Sequence, residues 1–245
     1  MIPRRPAAVV FDMDGLLFDT ERLYLQAMIE SVAAHGHEMT DAFYKSMLGQ
    51  PGWAMRERIL AHYGAAFPLD GVRAMWRTRF GALCEDHLAL KPGVPELLDL
   101  LQRLDIPCAI ATSSRRYRVM EHLRRHALAD RFRHVVAQED YALGKPHPAP
   151  YLTAAHHLGA ETSYCLALED SHNGVRAAAA AGMMTIMVPD LLTATEEIRA
   201  LCLGVARDLI EVASALARFP DASGRGRTLD DGTARVDFES GPVSQ

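Results

Sequence analysis

Two aspartates, Asp12 and Asp14, lie two positions apart directly after the apolar run at 7–11 (AAVVF). The run is typical of a β-strand, and side chains at positions i and i+2 of a strand project from the same face. Both carboxylates are therefore expected beyond the carboxyl end of that strand, where open α/β sheets bind ligands. Two anions this close repel each other unless a cation or a shared proton compensates. The pair predicts a hard-metal site, a nucleophile with an acid–base partner, or both; the alternative is a simple turn.

Hydroxyl and amino groups follow two further predicted strands. Thr112 and Ser113 come at the end of the apolar run at 106–112, so a hydroxyl and successive backbone amides there suit a phosphate oxygen. A helix cap is the structural alternative, because Ser and Thr are preferred in caps. Lys145 lies in the segment Gly-Lys-Pro-His-Pro after the next strand, where rigid neighbours would hold one positive charge over a phosphate. A solvated surface lysine is the alternative there.

A second acidic pair, Glu169 and Asp170, follows the apolar run at 164–168, and Asn173 comes shortly after it. The end of a strand gains nothing from two like charges, although a helix N-terminus would favour one of them. Ligands of an open parallel sheet bind beyond the carboxyl ends of its strands. We therefore expect the acids, the hydroxyl and the lysine to converge on one crevice as a nucleophile, a cation site and a phosphate cradle.

The elements that must position these groups alternate along the chain. After residue 89 we expect helices between short strands at 106–112, 132–137, 164–168, 184–188 and 203–206. This alternation predicts an α/β fold with a doubly wound, Rossmann-like parallel sheet and helices on both faces. Between the first strand and the rest, the chain shows helical periodicity and no convincing strand, which indicates an inserted small α-helical cap domain.

These patterns divide the chain into three parts. Residues 1–19 and 89–218 form the predicted α/β core, and residues 20–88 form the predicted helical domain. The segment Leu-Lys-Pro-Gly at 90–93 is a natural hinge at the return to the core. Residues 219–245 are rich in Gly, Asp, Ser and Arg and carry no sustained period, so we expect a flexible C-terminal tail.

Composition excludes some classes of partner. The chain has 245 residues with 49% hydrophobic and 23% charged residues, which is typical of a soluble globular protein. A net charge of -5 disfavours nucleic acid or an anionic membrane as the main partner, and no apolar run is long enough to span a bilayer. The four cysteines are far apart and match no zinc or redox spacing, so free thiols in a reducing cytoplasm are expected. A monomer is the default expectation.

Four segments together resemble the haloacid dehalogenase superfamily, in its subgroup with a small helical cap after the first strand. They are similar to the family's four motifs in order and spacing, and the resemblance covers about residues 6 to 215: FDMDGLLFDTE, ATSS, GKPHP and LEDSHNGVRAA. The subgroup includes β-phosphoglucomutases and sugar phosphatases. The resemblance implies a phosphatase acting on a small phosphorylated metabolite through an aspartyl-phosphate intermediate.

The resemblance also implies roles for single residues. Asp12 would be the nucleophile, and Asp14 would be the general acid that protonates the leaving alkoxide and then the general base for water. Thr112, the Ser113 amide and Lys145 would bind the phosphoryl oxygens, over which charge is spread in the transition state.

A magnesium ion completes the implied site. Mg²⁺ would be held by the Asp12 carboxylate, the backbone carbonyl of Asp14 and the Asp170 carboxylate, which matches its preference for oxygen ligands. Glu169 would support the site through hydrogen bonds or a bound water, and Asn173 would be a secondary contact.

The resemblance leaves a phosphatase and a β-phosphoglucomutase-like isomerase as the two main alternatives. Such mutases carry a histidine where this chain has Tyr24, and an arginine in a cap loop that here reads LGQPGW at 48–53. These departures favour the phosphatase. Trp53 in that loop either lines a substrate pocket or packs the cap. Dehalogenases of this superfamily lack an aspartate at the position of Asp14, and transport ATPases carry threonine there. Dehalogenation is therefore not expected. A non-catalytic binding module is a third alternative, which four intact motifs disfavour.

Overall fold

The structure, a computed structural model, describes residues 2–48 and 52–220. Its strands are β1 Ala8–Phe11, β2 Cys108–Ala111, β3 His134–Val136, β4 Cys165–Glu169, β5 Met184–Met187 and β6 Gly204–Val205. Its helices are α1 Thr20–Ala33, α2 Asp41–Lys45, α3 Gly52–Tyr63, α4 Leu69–His87, α5 Val94–Arg103, α6 Arg116–Arg125, α7 Ala149–Leu158, α8 His172–Ala180, α9 Glu196–Leu201 and α10 Leu209–Leu216.

The six strands form one parallel sheet in the order β3-β2-β1-β4-β5-β6. Val10 of β1 pairs with Ala109 on one side and with Ala167 on the other. β1, β2, β4 and β5 are buried along their whole length, because helices cover a parallel sheet and its strands can be apolar throughout. The strand order reverses beside β1, so the crevice at the carboxyl ends of β1 and β4 is the expected ligand site. The predicted doubly wound α/β fold is confirmed.

The chain divides into two compact units. The sheet unit contains residues up to Leu17 and from Leu90 onwards, and the inserted unit is Phe18–Ala89. Within the inserted unit α1 packs on α4, where the ring of Tyr24 stacks on Phe80 with centroids 3.8 Å apart. Trp76 Nε1 donates a 3.1 Å hydrogen bond to the carbonyl of Tyr24.

Two features predicted from the sequence fall largely outside the described residues. The tail expected at 219–245 is described only to residue 220, and the loop at 48–53 lacks residues 49–51 and the side chain of Trp53. Among the described helices, none has the length and apolar character required to cross a bilayer.

Helix α5 packs into the core of the sheet unit through leucines on one of its faces. Leu97, Leu98 and Leu101 are buried on one side of the helix, and α5 packs against α10. These leucines therefore form the core face of α5, which is the usual role of an apolar stripe on a helix.

Leu101→Ala is expected to lower the free energy of unfolding by about 2–5 kcal/mol, because the side chain is fully buried and its removal leaves a cavity. Leu152→Ala is the control, since Leu152 is 43% exposed and its truncation should cost under about 1 kcal/mol. Urea unfolding of the two variants measures both values. Equal losses would contradict this account of the α5 face.

Candidate active site

The sheet places the predicted acids at neighbouring strand ends. Asp12 directly follows β1, and its backbone N–H donates to the carbonyl of Leu168 on β4 at 3.0 Å. Glu169 is the last residue of β4, and Asp170 follows it. Thr112 follows β2 and is held by a 3.0 Å hydrogen bond from its N–H to the Val136 carbonyl. Backbone hydrogen bonding between neighbouring strands thus continues one residue past β1 and β2, and these residues lie at the same edge of the sheet.

Lys145 lies between two of these acids. Its Nζ donates to Asp12 Oδ1 and to Glu169 Oε1, the latter at 2.5 Å. The lysine side chain is only 6% exposed, so its charge requires these partners to offset the loss of hydration. The structure therefore brings Lys145 to the first acidic pair, although it comes from a distant segment just before α7.

Glu169 is fully buried and accepts five hydrogen bonds. Oε1 accepts from Lys145 Nζ and from the Tyr151 hydroxyl, the latter at 2.6 Å. Oε2 accepts from the Asp170 N–H, the Ser171 N–H and the Ser171 hydroxyl at 3.0–3.2 Å. A Cβ at Gly174 would overlap the Glu169 carboxyl group, so glycine makes this position of the carboxylate possible.

Three buried acids form a group that could hold a cation. Asp12, Glu169 and Asp170 each present an oxygen, and these oxygens all lie within 4.8 Å of one another. Carboxylates so close together match the oxygen ligands that Mg²⁺ prefers. The Asp14 side chain does not belong to this group.

Asp14 is half-buried and held by one oxygen. The Ser114 hydroxyl donates to Asp14 Oδ2 at 2.6 Å, whereas the buried Oδ1 has no hydrogen-bond partner within residues 2–48 and 52–220. The carboxyl group is therefore oriented and keeps one oxygen available for a proton.

Burial dominates the electrostatics of the first acid. Burial raises the pKa of the Asp12 carboxyl to about 7; the Lys145 ammonium opposes this shift, and the Glu169 and Asp14 carboxylates add to it. Burial also acts to lower the pKa of the Lys145 ammonium, but the charges of Asp12 and Glu169 outweigh burial and raise it. The metal-free site therefore carries more negative charge than one lysine compensates, which is the situation that a divalent cation relieves.

The remaining predicted residues have different surroundings. Thr112 Oγ1 accepts a 3.1 Å hydrogen bond from the Ser114 N–H, and the Ser113 side chain is exposed at the turn between β2 and α6. Asn173 lies in the first turn of α8, where its Oδ1 accepts from Arg176 at 3.2 Å. Its predicted secondary role stays a prediction.

Sequence reasoning assigned no role to three residues at this edge: Ser114 and Tyr151 donate to the acids, and Asp190 lies beside Gly15. Ser114 lies in the motif ATSS with Thr112 and Ser113, so its hydroxyl could have been included among the candidate site groups. Tyr151 carried no signal, because a single aromatic residue on a helix usually belongs to the core. Asp190 comes three residues after β5, so a search for acids in the loops after strands could have found it.

Asp12→Asn is expected to stabilise the metal-free protein more at pH 8 than at pH 5. The folded-state pKa of Asp12 is raised from 3.8 to about 7, so its stabilising contribution is complete below 3.8 and is lost as the pH rises through about 7. A neutral amide removes that loss. Thermal unfolding in a chelator at both pH values, with Asp99→Asn as the surface control, measures the effect. An Asp12→Asn gain in melting temperature that is equal at the two pH values would contradict it.

Comparison with known proteins agrees with this geometry. The model of the haloacid dehalogenase-like hydrolase family matches residues 6–182. The chain is 32% identical over 192 residues to hexitol phosphatase B from Escherichia coli strain K12, covering 76% of this chain and 85% of that protein. It is 30% identical over 179 residues to a phosphorylated carbohydrates phosphatase from Thermotoga maritima, covering 73% and 83%.

A solved structure extends the comparison to the fold. CbbY from Rhodobacter sphaeroides, solved in complex with phosphate, superposes with a TM-score of 0.69 at 30% identity, over 84% of this chain and 96% of that one. The predictions of family and enzyme class are confirmed, since the chain matches the family over most of its length and these relatives are named as phosphatases. This chain belongs to the haloacid dehalogenase-like hydrolases.

Proposed function

We propose that this chain is a Mg²⁺-dependent phosphomonoester hydrolase that acts on a small phosphorylated metabolite, a sugar phosphate or a close analogue. The observation that carries the proposal is the convergence of Asp12, Lys145 and the second acidic pair at one edge of the sheet. The names of the relatives support the substrate class, because two of them are phosphatases of hexitols and of phosphorylated carbohydrates.

Asp12 is the proposed nucleophile. Its carboxylate attacks phosphorus, the bond from phosphorus to the ester oxygen breaks, and an aspartyl-phosphate forms. Lys145 already donates to the same carboxylate and is the one buried cation beside it in the described chain, which supports a role in binding a phosphoryl oxygen. Thr112 and the Ser113 amide would bind the other oxygens at the end of β2.

Asp14 is the proposed general acid and base. Its proton goes to the departing alkoxide, and the resulting carboxylate then takes a proton from the water that attacks phosphorus and releases Asp12. The contact with Ser114 supports this role, because it fixes one carboxyl oxygen and leaves the other for proton transfer. General acid–base catalysis of this kind contributes roughly 10²–10⁴-fold.

The residues present fit a magnesium ion. The Asp12 and Asp170 carboxylates, with the backbone carbonyl of Asp14, would hold it, and the compact acid group of Asp12, Glu169 and Asp170 supports that assignment. When bound, Mg²⁺ offsets the negative charge of the phosphoryl group and of the acids around it.

The inserted unit is proposed to act as a cap that selects substrate and excludes water during the reaction. Tyr24 occupies the position at which mutases of this subgroup carry histidine, and its ring stacks on Phe80 and contacts the Trp76 ring at a tilt. A phenol packed in this way is a poor substitute for an imidazole acid–base group, which favours hydrolysis over transfer to a second hydroxyl.

Purified protein is expected to release inorganic phosphate from p-nitrophenyl phosphate in the presence of Mg²⁺. Asp12→Asn should lower kcat by roughly 10⁴-fold or more because it removes the nucleophile, and Asp14→Asn by roughly 10²–10⁴-fold. Asp99→Asn, the same chemical change on the surface, should keep full activity. Folded parent protein without turnover on this compound or on a panel of phosphorylated metabolites would instead support a binding module.

Incubation with β-glucose 1-phosphate and a trace of glucose 1,6-bisphosphate separates hydrolase from mutase. The hydrolase assignment predicts free phosphate and glucose, without accumulation of glucose 6-phosphate, because no second acid–base group is assigned in the inserted unit. Accumulation of glucose 6-phosphate without free phosphate would establish the isomerase.

A further inference from the structure

Asp190 is an additional acid at the catalytic edge of the sheet unit. It lies three residues after the end of β5, the strand that pairs with β4, and the Val188 N–H extends this pairing by donating to the Glu169 carbonyl at 2.6 Å. The side chain is only 11% exposed. Asp190 therefore lies in the loop after β5, the strand whose end pairs with the residue Glu169 of the second acidic pair.

The two oxygens of Asp190 differ in their surroundings. Oδ1 accepts a 2.7 Å hydrogen bond from the ammonium of Lys91, whose own side chain is 21% exposed. Oδ2 is buried and has no hydrogen-bond partner among the residues that the structure describes. Buried carboxylate oxygens normally accept hydrogen bonds, and residues 2–48 and 52–220 supply no donor for this one.

Gly15 shows where Oδ2 points. A Cβ at Gly15 would lie 3.3 Å from Asp190 Oδ2 and would collide with Asp170 Oδ2, so both oxygens lie against the same side of this residue. Gly15 directly follows Asp14, whose carbonyl is a proposed ligand of Mg²⁺. Asp190 is not part of the compact group of Asp12, Glu169 and Asp170.

Glu169 is poorly suited to hold a water bound to that cation. Both of its oxygens are already engaged by five donors of the protein, among them Lys145, Tyr151 and the Ser171 hydroxyl. Mg²⁺ in proteins usually keeps several waters, and the groups that accept hydrogen bonds from them tune its affinity. An acceptor without a donor beside Asp170 matches this requirement.

We propose that Asp190 is a positioning residue that accepts a hydrogen bond from a water bound to the catalytic Mg²⁺, and that Lys91 fixes its carboxylate for this purpose. The inference rests on the proposed function, because it requires Mg²⁺ between Asp12 and Asp170. Lys91 is itself anchored, since its backbone N–H donates to the Leu17 carbonyl at 3.0 Å. The chain leaves the sheet unit after Leu17 and re-enters it at Leu90. Lys91 therefore connects both of these points to Asp190.

Calorimetric titration of the full-length chain with MgCl₂ tests the proposal without turnover. The parent should bind one Mg²⁺, and Asp190→Asn should raise the Kd by roughly 10–100-fold, which is typical for loss of a group that holds a metal-bound water. The matched control Asp99→Asn should bind as the parent does. Salt would screen an effect that came only from a distant charge, whereas it would not remove the loss of a hydrogen bond to a bound water. The effect of Asp190→Asn on the Kd should therefore persist at about 0.5 M KCl.

Activity assays provide the second readout. Asp190→Asn should raise the Mg²⁺ concentration needed for half-maximal phosphate release by a similar factor, with kcat at saturating Mg²⁺ within about three-fold of the parent. The melting temperature without metal should fall, because the largely buried Lys91 loses its charged partner. A purely structural role would lower that temperature and kcat at saturating Mg²⁺ together while leaving the Mg²⁺ affinity unchanged, and this result would overturn the proposal.

The outcomes separate the two proposals. Weaker Mg²⁺ binding in Asp190→Asn, in a parent that binds Mg²⁺ but releases no phosphate from any ester, would refute the phosphatase and leave the metal contact standing. Phosphate release by the parent, with equal Mg²⁺ affinity in Asp190→Asn, would refute the role of Asp190 alone. The role of Asp190 would also be refuted if the parent bound no Mg²⁺. It would be refuted too if the parent bound two ions and Asp190→Asn bound only one.

Discussion

The ammonium of Lys145 lies between the carboxylates of Asp12 and Glu169, and all three side chains are at most 10% exposed. Removing three charges from water is costly, and mutual attraction repays that cost only with close geometry and further hydrogen bonds. The structure supplies both, because Glu169 also accepts from Tyr151 and from Asp170 and Ser171 just before α8. Two carboxylates on one ammonium leave a negative excess, and this excess makes the edge receptive to a divalent ion.

Sheet topology creates this concentration of charge. β1 and β4 are neighbours although about 150 residues separate them, and Phe11 pairs with Leu168, so that Asp12 and Glu169 emerge side by side. In a parallel sheet every carboxyl end lies at the same edge, and residues after β1, β2, β4 and β5 therefore share one environment. The inserted helical unit interrupts the sequence after β1 without interrupting the sheet.

The acids at this edge differ in how many of their oxygens accept hydrogen bonds from the protein. Glu169 accepts five donors and is a structural anchor, whereas Asp14 and Asp190 each use one oxygen on a protein donor and keep the other free of protein partners in the described chain. A carboxylate with both oxygens engaged is rigid but has little capacity to take a proton or hold a water. The free oxygens of Asp14 and Asp190 are therefore the ones assigned to chemistry and to the metal shell.

The sequence alone determined the fold class and the family, because apolar runs that alternate with helical stripes are local patterns and four motifs in order are specific. It also located Asp12, Lys145, Glu169 and Asp170, since each follows a predicted strand. Tertiary structure decided the rest: that Tyr151 reaches Glu169 from α7, that Ser114 holds Asp14, and that Asp190 meets Lys91. These contacts join residues from separate elements, and which of them meet depends on the register of the strands and on how the helices pack. No local pattern in the chain encodes those distances.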